Sequence, residues 1–268
     1  MSSFQKVIKY IAVAFAVFII FSIISGVIAG VSALGNLFSN DKRNYDLDEI
    51  KIESNYKVLD VELNSVNILI KKANKFSIET DSDNISFKEV GNRLLIIEKK
   101  IGWLPKKANS DLVIYVDDDF IFDEVSINNG AGRLDIDYIG TKELELEIGA
   151  GKVNFNKLDV YEEMSIDGGA GEVIIKDGVV NNLDLDMGIG KVKLNLEIKG
   201  TSEIDAGIGE VNLNLIGKDS DYKINVSKGI GKIDIAGIEA VDDTSYGMGE
   251  NILDINGGIG NISINFEE

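Results

Sequence analysis

This chain of 268 residues contains neither cysteine nor histidine, so any chemistry falls to carboxylates, lysines and hydroxyls. That removes disulfides, thiolate nucleophiles, imidazole bases and zinc sites built on sulfur or nitrogen. The densest carboxylate cluster is Asp117, Asp118 and Asp119, with Asp123 and Glu124 close behind, and oxygen donors of this kind suit a hard cation. The run lacks the Asp-x-Asp-x-Asp-Gly spacing of a calcium loop and sits between two apolar stretches, where a solvated turn belongs, so no metal site is expected. Glu143, Glu145 and Glu147, or Asp184 and Asp186, could supply the two carboxylates of a glycosidase. They alternate with apolar residues, as the outward face of a strand does, and no catalytic residue or cofactor is assigned.

One segment runs against the overall charge. Lys99, Lys100, Trp103, Lys106 and Lys107 fall within nine residues that also hold the only tryptophan and the only proline, between two expected strands. A basic loop with an exposed aromatic can meet lipid headgroups, an anionic wall polymer or a partner protein, and these five residues form the candidate binding site.

The elements that must position these side chains announce themselves as a repeat. The phrase Gly-x-Gly-x-apolar-x-apolar occurs seven times, at Gly130-Gly132, Gly149-Gly151, Gly169-Gly171, Gly188-Gly190, Gly207-Gly209, Gly229-Gly231 and Gly258-Gly260. Successive copies are 19, 20, 19, 19, 22 and 29 residues apart, a period that signals a stacked array. Each pair precedes a strand pattern, whereas a phosphate cradle needs a strand before it and a helix after, so the glycines are assigned to turns. Where the calcium-binding nonapeptide Gly-Gly-x-Gly-x-Asp needs its aspartate, Val173 and Ile262 stand instead.

Each period is expected to hold two short strands and two turns, because a second apolar alternation such as Leu144 to Ile148 precedes the next glycine pair. The residue between the glycines changes from Ala131, Ala150 and Ala170 to Ile189, Ile208, Ile230 and Ile259, which suggests an interior corner widening along the axis. The residue after each pair reads Arg133, Lys152, Glu172, Lys191, Glu210, Lys232, alternating in sign from Lys152 onward, as an in-register stack would favour. The long last step reads as a damaged copy at Gly247-Met248-Gly249 followed by a shortened one.

Ahead of the array, residues 10–31 form a nearly unbroken apolar run long enough for one transmembrane helix, a cleaved signal peptide ending near Ala33 being the alternative, and the body after it carries 25 basic against 45 acidic residues, a net charge of −20. The expected organisation is a short tail 1–9, the membrane helix 10–31, a linker 32–48, an irregular β region 49–128 that caps the array, and the repeats 129–268. The fold class expected is all-β, a stacked β-solenoid, with β-helix and two-sheet forms both open. A strongly acidic surface repels nucleic acid, so the expected partners are the membrane, through a single-pass anchor, and an envelope protein or polymer. The bulk of the chain is then placed outside the cytoplasm.

The phrases Gly-Ala-Gly-Lys-Val-Asn-Phe (149–155), Gly-Ile-Gly-Glu-Val-Asn-Leu (207–213) and Asn256-Gly257-Gly258-Ile259-Gly260-Asn261-Ile262 resemble those of a bacterial family of candidate adhesins. Its members are β-strand-repeat, or toast-rack, proteins of unknown function. The resemblance implies an elongated, envelope-associated, non-enzymatic β domain and brings no catalytic residues with it. A carbohydrate-active lyase or hydrolase is the alternative, and aromatic content of 7% argues against it.

Overall fold

Both apolar slots of all seven glycine phrases are buried in the computed structural model, which describes residues 48–50, 56–99, 110–117 and 119–267. These residues all fall in one compact unit, Asp41–Glu268. The first part consists of β1 (Asp48–Ile50), β2 (Val58–Ala73), β3 (Ser77–Thr80), β4 (Ile85–Val90), β5 (Arg93–Glu98) and β6 (Ser110–Asp117). The middle is built from β7 (Ile121–Ile136), β8 (Ile139–Phe155), β9 (Leu158–Ile175), β10 (Gly178–Asn181), β11 (Leu183–Lys199) and β12 (Thr201–Ile216). The last part holds β13 (Tyr222–Ser227), β14 (Ile230–Ile235), β15 (Ile238–Glu239), β16 (Thr244–Tyr246) and β17 (Asn251–Glu267).

Strands β7, β8, β9, β11 and β12 stack in parallel register, glycine on glycine and apolar slot on apolar slot. Only two residues join β7 to β8, yet the end of one strand and the start of the next belong to adjacent layers. Sixteen extended residues would otherwise span roughly 50 Å, so each strand must bend round into a nearly closed loop. The inward alternation shows where it bends. In β8 it runs Ile139, Thr141, then Leu144, Leu146, Ile148, then Val153, Phe155, slipping phase near residue 142, at the glycine pair and again before Leu158. The buried Thr141 hydroxyl turns back to donate to the Glu143 carbonyl at 2.8 Å at the first slip. One such layer offers about 1.5–3 kcal/mol per buried apolar side chain against backbone ordering of about 1–2 kcal/mol per residue, so no layer is stable unless stacked.

The layers do not follow chain order at either end. β17 lies between β12 and the last layer, pairing in parallel with β12 on one side and with β13 and β14 on the other. β2 likewise lies between β7 and a layer made of β5 and β6. Both terminal layers are split into two short strands, and each is covered by antiparallel strands: β4 and β3 at one end, β15 and β16 at the other. Such covers shield the unpaired edges on which other chains could add.

These observations correct the expected architecture. The structure is sheet throughout except for a 3-10 turn at Asp219–Asp221, and among the described residues no helix is long and apolar enough to cross a membrane. The expected transmembrane helix, 10–31, lies outside the described residues and forms no part of the fold the structure shows; an apolar run meets the length needed for a span without specifying a helix. Nor does a period of the central array hold two strands and two turns, because β7, β8, β9, β11 and β12 each run through their glycine pair as a single strand. The last step of 29 residues is neither a damaged copy nor a shortened one: β15 and β16 fold back as a cover before the chain returns to insert β17.

The glycine pair bends a continuous strand where layers approach too closely for a side chain. At Gly151, with φ +152°, a Cβ would stand 1.9 Å from the carbonyl oxygen of Gly132, and at Gly171 one would stand 1.9 Å from that of Gly151. Nothing lies within 4 Å of the corresponding point at Gly91, a hairpin glycine with φ +63°. Gly171→Ala should therefore cost more than about 3 kcal/mol in denaturant unfolding, whereas Gly91→Ala should cost only about 1 kcal/mol. Equal losses would remove the close approach as the reason for the repeat. Deleting residues 250–268 should also release 222–246 to rapid amide exchange, because among the described strands β13 and β14 find their parallel partner in β17.

Candidate interaction surface

Parallel register turns each outward position of the repeat into a column of residues about 4.8 Å apart. Two neighbouring columns are composed of acids with a few serines and asparagines. One runs Glu62, Asn128, Glu147, Asp167, Asp186, Asp205, Asn256, and the other Asp60, Ser126, Glu145, Ser165, Asp184, Glu203, Asp254. Neither column contains a lysine or arginine from β2 to β17. Toward both ends the carboxylates meet neutral donors: Ser126 donates to Glu145 at 3.2 Å, Asn128 donates to Glu147, and Asn256 donates to Asp205 at 2.6 Å and to Glu203 at 2.8 Å. Arg93 reaches Asp60 at 2.9 Å from the side of β5. Burial, then the charges of Asp167, Asp205 and Asp184, push the Asp186 carboxyl above its ordinary range. At the β2 end an acid-walled cleft of about 400 Å³ opens between Asp60, Glu62, Glu98, Glu145 and Glu147.

The columns beyond the glycine corner are mixed in charge. Lys152 meets Glu172 at 2.8 Å and Lys191 meets Glu210 at 2.6 Å, so the expected alternation does form cross-layer pairs. Lys191 and Asn212 hold the Glu210 carboxyl below its usual range. Lys232, however, is not next to Glu210, because the inserted β17 puts Asn261 between them. Arg133 pairs with Asp135 on its own strand. Farther along the same face, asparagines donate across layers, Asn154 to Asp135 at 2.8 Å and Asn214 to Asn195 at 2.5 Å.

The corner residues contradict the expected interior position. Ala131, Ala150, Ala170, Ile189 and Ile208 are half-buried, Ile259 is 42% exposed and Ile230 is 73% exposed. With a glycine on each side, the middle residue projects from the outside of the bend, so the change from alanine to isoleucine builds a surface ridge.

Of the five candidate loop residues, Lys99 is exposed, while Lys100, Trp103, Lys106 and Lys107 lie outside the described residues. The loop joins β5 to β6 at the place in that layer where other layers carry Gly-x-Gly. Of the acidic run, Asp118 lies outside the described residues. Asp123 pairs with Lys142 at 2.6 Å, which draws its carboxyl below the usual range, and Glu124 pairs with Arg93 at 3.2 Å. Among the described residues no three acids converge as metal ligands. The sequence singles out carboxylates along individual strands but not the columns they form; the spacings of 20 residues from Glu147 to Asp167 and 19 from Asp167 to Asp186 are the available signal.

Removing one charge from a like-charge column should relieve repulsion. Because folding raises the Asp186 pKa, its contribution favours the native state at low pH and is lost as pH rises through the folded value. Asp186→Asn should raise the unfolding midpoint at pH 7 by about 1–3 °C, as expected for an exposed pair term of a few tenths to 1 kcal/mol. The gain should vanish below about pH 4 and shrink in about 1 M salt. A gain that persists unchanged at low pH would show that the charge is not its origin.

The model of the Toastrack DUF4097 family matches residues 43–251. Among solved structures, a candidate adhesin from Bacteroides fragilis is similar at 13% identity over 84% of this chain and 98% of that one, with a TM-score of 0.49. A candidate adhesin from Parabacteroides distasonis aligns at 13% identity over 82% and 98%, with a TM-score of 0.42. A candidate cell adhesion protein from Clostridium sporogenes aligns at 17% over 83% and 100%, with a TM-score of 0.38. No curated protein matches the chain.

Proposed function

Since the chain belongs to the Toastrack DUF4097 family, we propose that it is a non-enzymatic scaffold of the cell envelope that binds cationic partners on its acidic face. The observation that carries this reading is the pair of carboxylate columns, which run the length of the stack without a basic residue. Like charges held directly opposite one another are destabilising, so the face stores repulsion that a polycation relieves on binding. The same potential excludes nucleic acid and anionic lipid. The apolar segment 10–31 provides a means of holding the protein at the cell membrane, with the acidic face outside it. Among the described residues no aromatic side chain lines the acidic cleft, which favours protein or cationic polymer over a glycan.

Poly-L-lysine is a suitable first probe. The full-length chain should bind it with an affinity that falls steeply from about 0.05 to 0.5 M salt. Changing Glu147, Asp167, Asp186 and Asp205 together to their amides should weaken binding at least about ten-fold while preserving the fold. The same four changes on the mixed face, Glu172, Glu210, Asp135 and Asp234, are the control. If the two quadruple variants bind alike, the acidic face is not the site.

A further inference from the structure

The outward ridge at the glycine corner gives the acidic face a second, apolar component. Ile189, Ile208, Ile259 and Ile230 occupy successive layers in register, the first two half-buried and the last two exposed, and they form one aliphatic line. At the end layer Val241, 65% exposed, extends it, since residues 240–242 run beside 228–233: Ala240 donates its N–H to Ile233 at 2.7 Å and Asp242 accepts that of Lys228 at 2.7 Å. The line has two unlike flanks. Three residues before Ile189 and Ile208 stand Asp186 and Asp205 of the acidic columns, while two residues after them stand Lys191 and Glu210, already paired with each other. An isolated exposed isoleucine needs no explanation, whereas a ridge four layers long, flanked on one side by Asp186 and Asp205 in its first two layers and by Asn256 and Ser227 in the next two, is a surface built for contact.

We infer that this ridge seats an amphipathic helix of a partner protein, with its apolar stripe on the isoleucines and lysines or arginines along one flank above Asp186 and Asp205. The inference rests on the reading of the acidic face and names its partner. Charge complementarity settles the sign of the flank, because a neutral or acidic helix would leave Asp186 and Asp205 without a cationic partner. Spacing favours a helix over a strand. The isoleucines recur about every 4.8 Å, near the ~5.4 Å pitch at which a helix presents i, i+3, i+4 and i+7, whereas a strand laid along the axis repeats a face only every ~6.7 Å. Three layer spacings cover about 14 Å, close to three helical turns. Basic residues are called for on one flank only, so the helix can lie in only one direction.

The test uses a synthetic 14-residue helical peptide with leucines along one stripe and lysines on one flank, and a scrambled peptide of identical composition. Binding to the full-length chain is read by fluorescence anisotropy at about 0.1 M salt. The striped peptide should bind at least about ten-fold more tightly than the scrambled one, and Ile189→Ala, Ile208→Ala and Ile259→Ala combined should abolish that difference. Alanine occupies the same corner in Ala131, Ala150 and Ala170, so this variant should keep its unfolding midpoint, which is measured alongside. Equal, salt-sensitive binding of both peptides would overturn the helix proposal and leave the acidic-face reading intact. Failure of both peptides to bind would remove the two together. Isoleucine-dependent binding to zwitterionic phosphatidylcholine vesicles with no preference for the striped peptide would also overturn it, in favour of lipid.

Discussion

Everything in this protein depends on backbones meeting at the glycine corner more closely than any side chain allows. Each layer's glycines lie directly over the carbonyl oxygens of the layer before, from Gly132 over Val66 through to Gly231 over Gly260. Contact this close permits only one register, because a shift of one residue would drive a Cβ into a carbonyl and turn the buried set outward at once. With register locked, the core becomes columns of identical positions, and Val153, Val173, Val192 and Val211 lie one above another.

The same locking multiplies whatever stands outside. A carboxylate at one outward position becomes a line of carboxylates, an isoleucine becomes a ridge, and Asn195, Asn214 and Asn265 fall in one column, in which Asn214 donates to Asn195. In a less repetitive fold such residues would scatter, and their charges would be screened by neighbours of opposite sign. Here the two sides of the corner have diverged: the mixed side pairs Lys152 with Glu172 and Lys191 with Glu210, while the acidic side leaves Asp167 and Asp186 facing each other. Repulsion of this kind is tolerable because each exposed pair costs only about 0.2–1 kcal/mol, small beside the apolar core beneath.

Stacking creates a problem at its ends, where a bare layer would offer an edge to any passing strand. The chain meets it in the same way twice, by placing a full layer second from the end, splitting the outermost layer in two and covering the halves with antiparallel strands. Inserting β2 and β17 out of order ties distant parts of the chain together and makes the end layers depend on strands far away in sequence.

Much of this was legible beforehand. The seven glycine phrases, the buried pairs from Leu134 and Ile136 to Ile262 and Ile264, and the opposite charges at Lys152 and Glu172 are local signals, and local periodicity decides which side chains turn inward. The apolar segment 10–31 was equally visible but belongs to a part of the chain outside the described residues. The order of layers was not legible, because a strand carries the same pattern whether it stacks on its neighbour or on one 51 residues away, as Thr201 does on Ile252. Nor was the direction in which the corner residue points, since an isoleucine between two glycines suits an inner or an outer bend equally well. Sequence by itself determined that the chain must stack in register, through the steric demand of its glycines. Only the tertiary structure decided which layers touch, and thereby which charges and isoleucines share a face, because that follows from pairings between residues far apart along the chain.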